Sequence, residues 1–240
     1  MTELRTIENL PNGFTLREVV GTTFLTIANS DETAFYTVFD PVDPQTLYGY
    51  WGELATMALC DFRLHDGPRP VLHLGGAGMA VARGLSSACP GLTQTVVDID
   101  RDITGWVEQH YPPGENVEVI YGDARDHTYL AETHPVVIID TGMGARDGDE
   151  YALYKDLVRG VLDAGTDNTV LVNLIEPHDG SRDGSKAIAA EFGEPVVAFR
   201  QPKVSPNNTL LGRVTDRTIA ALWAQDAEKY GQWEYEVIAP

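Results

Sequence analysis

Short runs of β-branched and aromatic residues open the chain: "FTLREVV" (14–20), "TFLTIAN" (23–29) and "AFYTVFD" (34–40). Gly21 and Asn29-Ser30-Asp31 separate them as turn residues, so the pattern predicts strands. "LYGYWGELATMALCDF" then places Leu47, Tyr50, Trp51, Leu54, Met57 and Ala58 on one side of a helix. A Pro/Gly linker, "HDGPRP" (65–70), follows. From Val71 the texture changes to strands alternating with helices. The predicted strands are 71–74, 93–99, 117–121, 135–140, 169–175, 195–200 and 209–214. "YALYKDLVRGVLDAG" (151–165) sets Tyr151, Tyr154, Leu157, Val158, Val161 and Leu162 on one face and ends at Gly165, and a last helix is expected around 216–231. Apolar strands alternating with amphipathic helices predict an α/β fold: a mostly parallel sheet of about seven strands with helices on both faces. The expected division is a β-rich region with its connecting helix at 1–66 and a larger α/β domain at 67–240.

Composition adds little to this and excludes some functions. The chain of 240 residues is 43% hydrophobic and 22% charged, enough for a sizeable core. No apolar run approaches the length that crosses a bilayer, and the N-terminus lacks a basic segment followed by an apolar one, so a cytosolic location is expected. Cys60 and Cys89 form no CxxC and the six histidines are scattered; reduced thiols and no metal are expected. The net charge of −19 serves solubility, opposes binding to nucleic acid and anionic membranes, and would steer cationic ligands inward. It permits a polyamine-type substrate without showing one.

Open α/β sheets bind ligands at the carboxyl ends of their strands, so the residues that follow each strand are taken together. The first strand is followed by Gly75-Gly76-Ala77-Gly78, a turn that lets backbone approach a ligand at a helix N-terminus. As a dinucleotide fingerprint it is poor, with Val81 where a third glycine or alanine belongs. The second strand ends at Asp98, placed to accept from ribose hydroxyls, while Asp100 suits a helix N-cap. After the third strand comes Gly122-Asp123-Ala124; a carboxylate here can accept from an adenine amino group while the Ala124 N–H donates to a ring nitrogen. The lesser alternative for Asp123 is a helix cap. The fourth strand ends at Asp140-Thr141, where a carboxylate can bind a cationic amine or remove its proton, and 145–150 add an acidic loop read as a lid. Together these four strand ends favour a sulfonium nucleoside over a dinucleotide.

With "YWGEL", "LGGAGMA", "VVDID", "YGDA" and "VVIIDTG" in this order, the chain resembles the spermidine synthase family of polyamine aminopropyltransferases over roughly Thr15 to Ile175. That resemblance implies a Rossmann-like class I methyltransferase sheet behind a small N-terminal β region, a homodimer, and decarboxylated S-adenosylmethionine as co-substrate with no metal. It also implies a small cationic amine as acceptor. On it, Gly75, Gly76 and Gly78 fall in the glycine-rich donor turn, Asp98 at the ribose, and Asp123 and Ala124 at the adenine. Asp140 falls on the general base, with Thr141 beside it. Glu53 falls on a glutamate that holds the acceptor, and Trp51 on the acceptor-side helix. The departures are specific. The family turn usually reads GGGDGG, and its aspartate is here Gly78. The second aspartate of the DSSDP-type loop is Met143 and its proline Gly144, while Trp51 and Met57 replace a tyrosine and a histidine. The nucleoside half of the motif set is intact and much of the cation-binding half is not. Aminopropyl transfer leads; an S-adenosylmethionine-dependent methyltransferase and a non-catalytic nucleoside-binding homologue are the alternatives.

Overall fold

The computed structural model describes residues 4–10, 13–22, 24–29, 35–47, 49–76, 78–141, 151–165, 167–176, 183–201, 205–213, 223 and 234–239. Four antiparallel strands open the chain in sequential order: β1 (Leu4–Asn9), β2 (Phe14–Val19), β3 (Leu25–Asn29) and β4 (Phe35–Phe39). The last three match the predicted runs. β1 lies outside them, because "LRTIEN" mixes charge with apolar residues and declares itself only through its pairing with β2.

Helix α1 (Tyr50–Leu64) leads to the second sheet, in which β5 (Val71–Gly75) lies between β6 (Gln94–Asp98) and β8 (Val136–Asp140), all parallel. β7 (Val117–Tyr121) adds beyond β6, and β9 (Thr169–Ile175) beyond β8. The expected parallel sheet is therefore present, extended to eight strands by an antiparallel edge. β11 (Ser205–Arg213) pairs with β9, β10 (Val196–Gln201) with β11, and β12 (Glu234–Ile238) with β10. β12 is also outside the predicted strands: the acidic "EYEVI" gains its place by pairing with β10. The helix expected at 216–231 lies outside the described residues except for Trp223, which is fully buried and donates from Nε1 to the Met57 carbonyl at 3.0 Å.

Period-two alternation sorts the central strands between two cores. Val71, Val96, Val136, Ile138, Leu171 and Leu210 face α1, helix α2 (Ala80–Ala88) and helix α3 (Arg101–His110). Leu72, Leu74, Val97, Val137, Ile139 and Val172 face helix α4 (Ala152–Ala164) and helix α5 (Asp183–Phe192). Of the predicted α4 face, Tyr154, Leu157, Val158 and Val161 are buried. The first core continues into the N-terminal sheet through Leu16, Ile27 and Phe39. Arg83 of α2 fastens that junction: its buried guanidinium stacks on Phe39 at 5.1 Å and Tyr111 at 5.7 Å. Cys60 is buried, Cys89 half-buried, and both are unbridged. Among the described residues no helix is long and apolar enough to cross a membrane.

The strand order fixes where a ligand can sit. The chain runs from β5 outward to β7, then returns to the other side of β5 as β8, and at such a reversal, at the carboxyl ends of the strands, open α/β sheets form their ligand crevice. Gly75 closes the floor of that crevice. Its φ is +89°, and a Cβ there would come within 2.8 Å of the Asp140 carbonyl carbon. Gly75→Ala is expected to destabilise the protein by at least about 2 kcal/mol in a urea titration, through backbone overlap and a positive φ acting together.

Candidate functional site

Period two places Gly75, Asp98 and Asp140 on the sheet face that packs against α1, at the carboxyl ends of three adjacent strands. The turn after β5 is built from unusual backbone: Gly75 at φ +89°, Gly76 at +102° and Met79 at +49°. The positive φ of Met79 is a strained conformation for a side chain of that size. Its N–H donates to the Gly76 carbonyl at 2.6 Å, and α2 starts with no side-chain cap. Gly76 has open space where a Cβ would be, as a ligand-facing backbone requires. Ala77 lies outside the described residues.

Asp98 is buried, and one of its oxygens accepts from the Asp100 N–H at 2.8 Å. Burial pushes its carboxyl up to about 6, helped by the charges of Asp100 and Asp140 and opposed by the Asp100 N–H and Thr104. Asp100 caps α3 as expected, accepting from the Ile103 N–H at 3.0 Å. The Gly122 N–H ties the end of β7 to the Asp98 carbonyl at 3.0 Å, which brings Asp123 and Ala124 to the same edge. Asp123 does cap the 3₁₀ segment Ala124–Glu132, accepting from the Arg125 N–H at 2.9 Å. Its carboxylate also pairs with the Arg125 side chain, from Nε at 3.0 Å, and that guanidinium holds it below the usual carboxylate range. A ligand's amino group would have to share Asp123 with Arg125. Between Asp98 and Asp100 stands Ile99, 74% exposed, an apolar platform suited to a flat ring, which alternation along the strand does not single out.

Asp140 is the most constrained of these acids. The Asn173 amide donates to Oδ1 at 2.8 Å, and the Tyr50 hydroxyl lies 3.5 Å from the same oxygen. Burial pushes its carboxyl up to about 6 against these two stabilising bonds. The same crowding lifts the two neighbouring phenols. Tyr50 stands well above its ordinary value, and Tyr154 is pushed up to about 12, each by burial and then by the Asp140 charge. A carboxylate just past the end of β9 offers a contrast. Glu176 accepts from the Ser185 N–H at 3.0 Å, the Ser185 hydroxyl at 2.8 Å, Thr209 and Arg200, so both its oxygens are engaged. Glu176 is fastened in structure, whereas Asp140 is held by one oxygen.

The cavity beside Asp140 is walled by Thr37, Trp51, Gly76, Gly78 and Ile138 and holds about 10 Å³, close to the room one water needs. The reactive end of any larger ligand must widen it. Trp51 lines this wall; Glu53 is buried in α1 and does not line it. Thr141 follows Asp140, and its buried hydroxyl lies against the Tyr154 phenol, whose ionisation it favours. Thr37 joins the site unannounced by the sequence. Its side chain is fully buried, its hydroxyl has no partner among the described residues, and it packs so closely on Gly78 that a Cβ there would overlap it. The place of an acid at position 78 is thus filled from β4. His73 also lines the cavity and is neutral, its pKa lowered to about 4 by burial. Gln94 gives its amide hydrogens to the Ala82 carbonyl and Ser86, so its carbonyl accepts from His73 Nε2 at 2.9 Å, and the imidazole is locked into the core. Met143, Gly144 and the loop 145–150 lie outside the described residues. No group of three metal-ligating side chains occurs among the described residues.

Asn173 could have been suspected from the sequence, as the one polar interruption of "TVLVNLI". Tyr50 carried only the signal of an apolar helix face, and Thr37 carried none.

Solved structures place this geometry among known folds. The chain is similar to a probable spermidine synthase from Corynebacterium glutamicum, at 17% identity and a TM-score of 0.71 over 98% of this chain and 91% of that one. The Thermotoga maritima spermidine synthase matches 89% of this chain and 72% of its own at 11% identity, TM-score 0.61. A spermidine synthase in complex with the transition-state analogue AdoDATO matches at 12% identity, TM-score 0.59, over 88% of this chain and 71% of that one. No family profile matches the chain, and no curated protein matches it in sequence. The expected Rossmann-like sheet and the resemblance to spermidine synthases therefore hold at the level of the fold.

Two outcomes follow from this geometry. Restoring an acid by Gly78→Asp is expected to lower thermal stability, because the new side chain overlaps Thr37, and Thr37→Gly in the same chain should recover the loss. Asp140 binds its proton more tightly when folded, so the folded state keeps a proton between pH 3.8 and about 6 that the unfolded chain has released. Stability therefore falls as pH rises through that window. Asp140→Asn should raise stability at pH 8 by up to about 3 kcal/mol and give no such gain at pH 3.5, as read from urea titrations.

Proposed function

We propose that this protein transfers an aminopropyl group from decarboxylated S-adenosylmethionine to a small cationic amine, releasing methylthioadenosine, with Asp140 as the base. The observation that carries this is the placement of Asp140: a buried carboxyl at the end of β8, poised near 6, directly across the crevice from the glycine turn. The residues present fit the nucleoside half of such a donor. Asp98 would accept from the ribose hydroxyls, Ile99 would cover one face of the adenine, and Asp123 with the Ala124 N–H would address its edge. The sulfonium is already a good leaving group, so the protein's part is to orient donor and amine and to take the proton the amine loses on attack. A carboxyl with its pKa near 6 is ionised at neutral pH and, among carboxylates, basic enough to assist that transfer. Glu53 and the strongly negative surface would attract the remaining ammonium of the acceptor.

Thr37 favours a second reading. With its side chain over Gly78, the site offers a neutral hydroxyl where a charged tail would otherwise meet an acid, and a methyl donor with a different tail suits it as well. The products separate the two: methylthioadenosine for aminopropyl transfer, S-adenosylhomocysteine for methyl transfer.

The test supplies the pure protein with decarboxylated S-adenosylmethionine, or with S-adenosylmethionine, together with a panel of diamines and polyamines, and identifies products by mass spectrometry. Amine-dependent methylthioadenosine release is expected, with an acid limb in kcat/KM near pH 6. Asp140→Asn should reduce turnover by about 10²-fold or more while leaving methylthioadenosine affinity nearly unchanged. Release of neither product by a folded protein would overturn both readings.

A further inference from the structure

We infer that Asn173 and Asn208 form a positioning chain that aims Asp140, with Asn208 choosing which end of the Asn173 amide the carboxylate meets. The inference rests on Asp140 as the base of the proposed reaction, but its geometry stands independently of any substrate.

Three strands supply the members. β8 and β9 run parallel with Ile139 beside Val172, so Asp140 and Asn173 come next to one another at the strand ends. β11 runs antiparallel to β9 with Leu210 opposite Asn173, which puts Asn208 on the diagonal, on the same sheet face and at the same edge. The Asn208 amide donates to Asn173 Oδ1 at 2.8 Å, and the Asn173 amide donates to Asp140 Oδ1 at 2.8 Å. Asn173 is 1% exposed, so its amide is met by these neighbours and not by bulk solvent.

An asparagine amide has a donor end and an acceptor end of nearly the same shape. Left alone, Asn173 could present its oxygen to Asp140, where two acceptors would repel. Asn208 removes that option by occupying the Asn173 oxygen with a hydrogen-bond donor. The Asn173 N–H then points at Asp140 in a charge-assisted bond that favours the ionised carboxylate. The same bond fixes which oxygen is held. Oδ1 carries both contacts, from Asn173 and Tyr50, and Oδ2 accepts no hydrogen bond among the described residues. One oxygen anchored and the other left for the substrate is the arrangement a base needs. The other ionisable groups that face Asp140 are Tyr50 from α1, Tyr154 from α4 and Asp98 from β6; the Tyr50 hydroxyl favours the carboxylate, and the Asp98 charge opposes it. Burial is what chiefly works against ionisation, and the Asn173 bond is the larger of the two that offset it. Neither asparagine is placed to touch the reacting atoms; both act through Asp140.

The experiment titrates the Asp140 carboxyl by carbon-13 NMR in the whole protein without ligand, with Asp140→Asn identifying the resonance. Asn173→Leu should raise the Asp140 pKa by about one unit or more, Asn208→Leu should raise it by less, and the double variant should match Asn173→Leu alone. That non-additivity distinguishes a chain from two independent contacts. Additive shifts, or an unmoved pKa in either single variant, would overturn the inference. Should Asn173→Leu fold poorly, the isosteric Asn173→Asp carries the same test: adjacent carboxyls share a proton, and the titration must split into two steps. A single unshifted step there would also overturn it. Where the wild type turns over, the acid limb of kcat/KM should move upward with the NMR value in Asn173→Leu, and activity should recover at alkaline pH with KM unchanged. Because the titration needs no substrate, absence of turnover would remove the proposed function and leave this test in force.

Discussion

The ends of β5 and β8 approach so closely at Gly75 and Asp140 that no side chain fits between them, and this approach follows from where the sheet reverses its strand order. In a doubly wound sheet the strand order reverses once. Once β6 and β7 occupy one flank of β5, the chain must return across to lay β8 on the other. The carboxyl ends of β5 and β8 lie side by side at that reversal, and Gly76, Gly78 and Asp140 line the same small cavity there. Gly75 permits the closeness, and Asp140 inherits a buried position as a consequence. Its raised pKa, the lifted phenols of Tyr50 and Tyr154 and the need for an amide partner at Asn173 all descend from that burial.

The two halves of the crevice differ in what holds them. Strand ends and the backbone bond from Gly122 to Asp98 form the half that faces β6 and β7, and the sheet registers keep it rigid. The half that faces α1 is roofed by the N-terminal sheet, which meets the second sheet through packing: Arg83 between Phe39 and Tyr111, Thr37 against Gly78 and Trp51 over the cavity. Buried cation–aromatic contact suits such a junction because Arg83 needs partners once it is desolvated; the two rings supply contact, and the charge of Asp40 favours the cation. In a site so divided, one residue of β4 can alter the space over Gly78 without disturbing the strand ends of β6 and β7.

Two buried carboxylates on neighbouring parts of the sheet show how the surroundings separate structure from chemistry. Glu176 is met by two hydroxyls, a backbone N–H and a guanidinium, so the group ties β9 to α5, β10 and β11. Asp140 receives amide and phenol contacts on one oxygen only and faces Asp98 across the crevice. Its ionised form is under-compensated, which costs stability at neutral pH and leaves a basic oxygen for a ligand.

Much of this is legible in the sequence, for identifiable reasons. Alternation of apolar residues marks a strand whatever it pairs with, so β2 to β11 can be located, and the acids and glycines at their ends follow from the rule that ligands gather at carboxyl edges. Gly75, Asp98, Asp123 and Asp140 are found in that way. What the sequence cannot determine is anything that depends on which strands become neighbours. β1 and β12 are polar segments stabilised by pairing, and the antiparallel turn of β10 and β11 has no signature in composition. Asn208 meets Asn173 only because β11 inserts between β9 and β10, and Thr37 covers Gly78 only because the N-terminal sheet packs back on the glycine turn. Local pattern fixes the faces of elements, because a side chain's direction repeats with the backbone. The orientation of a buried amide and the filling of the space beside a glycine are set by residues distant in sequence, and tertiary structure alone brings those together.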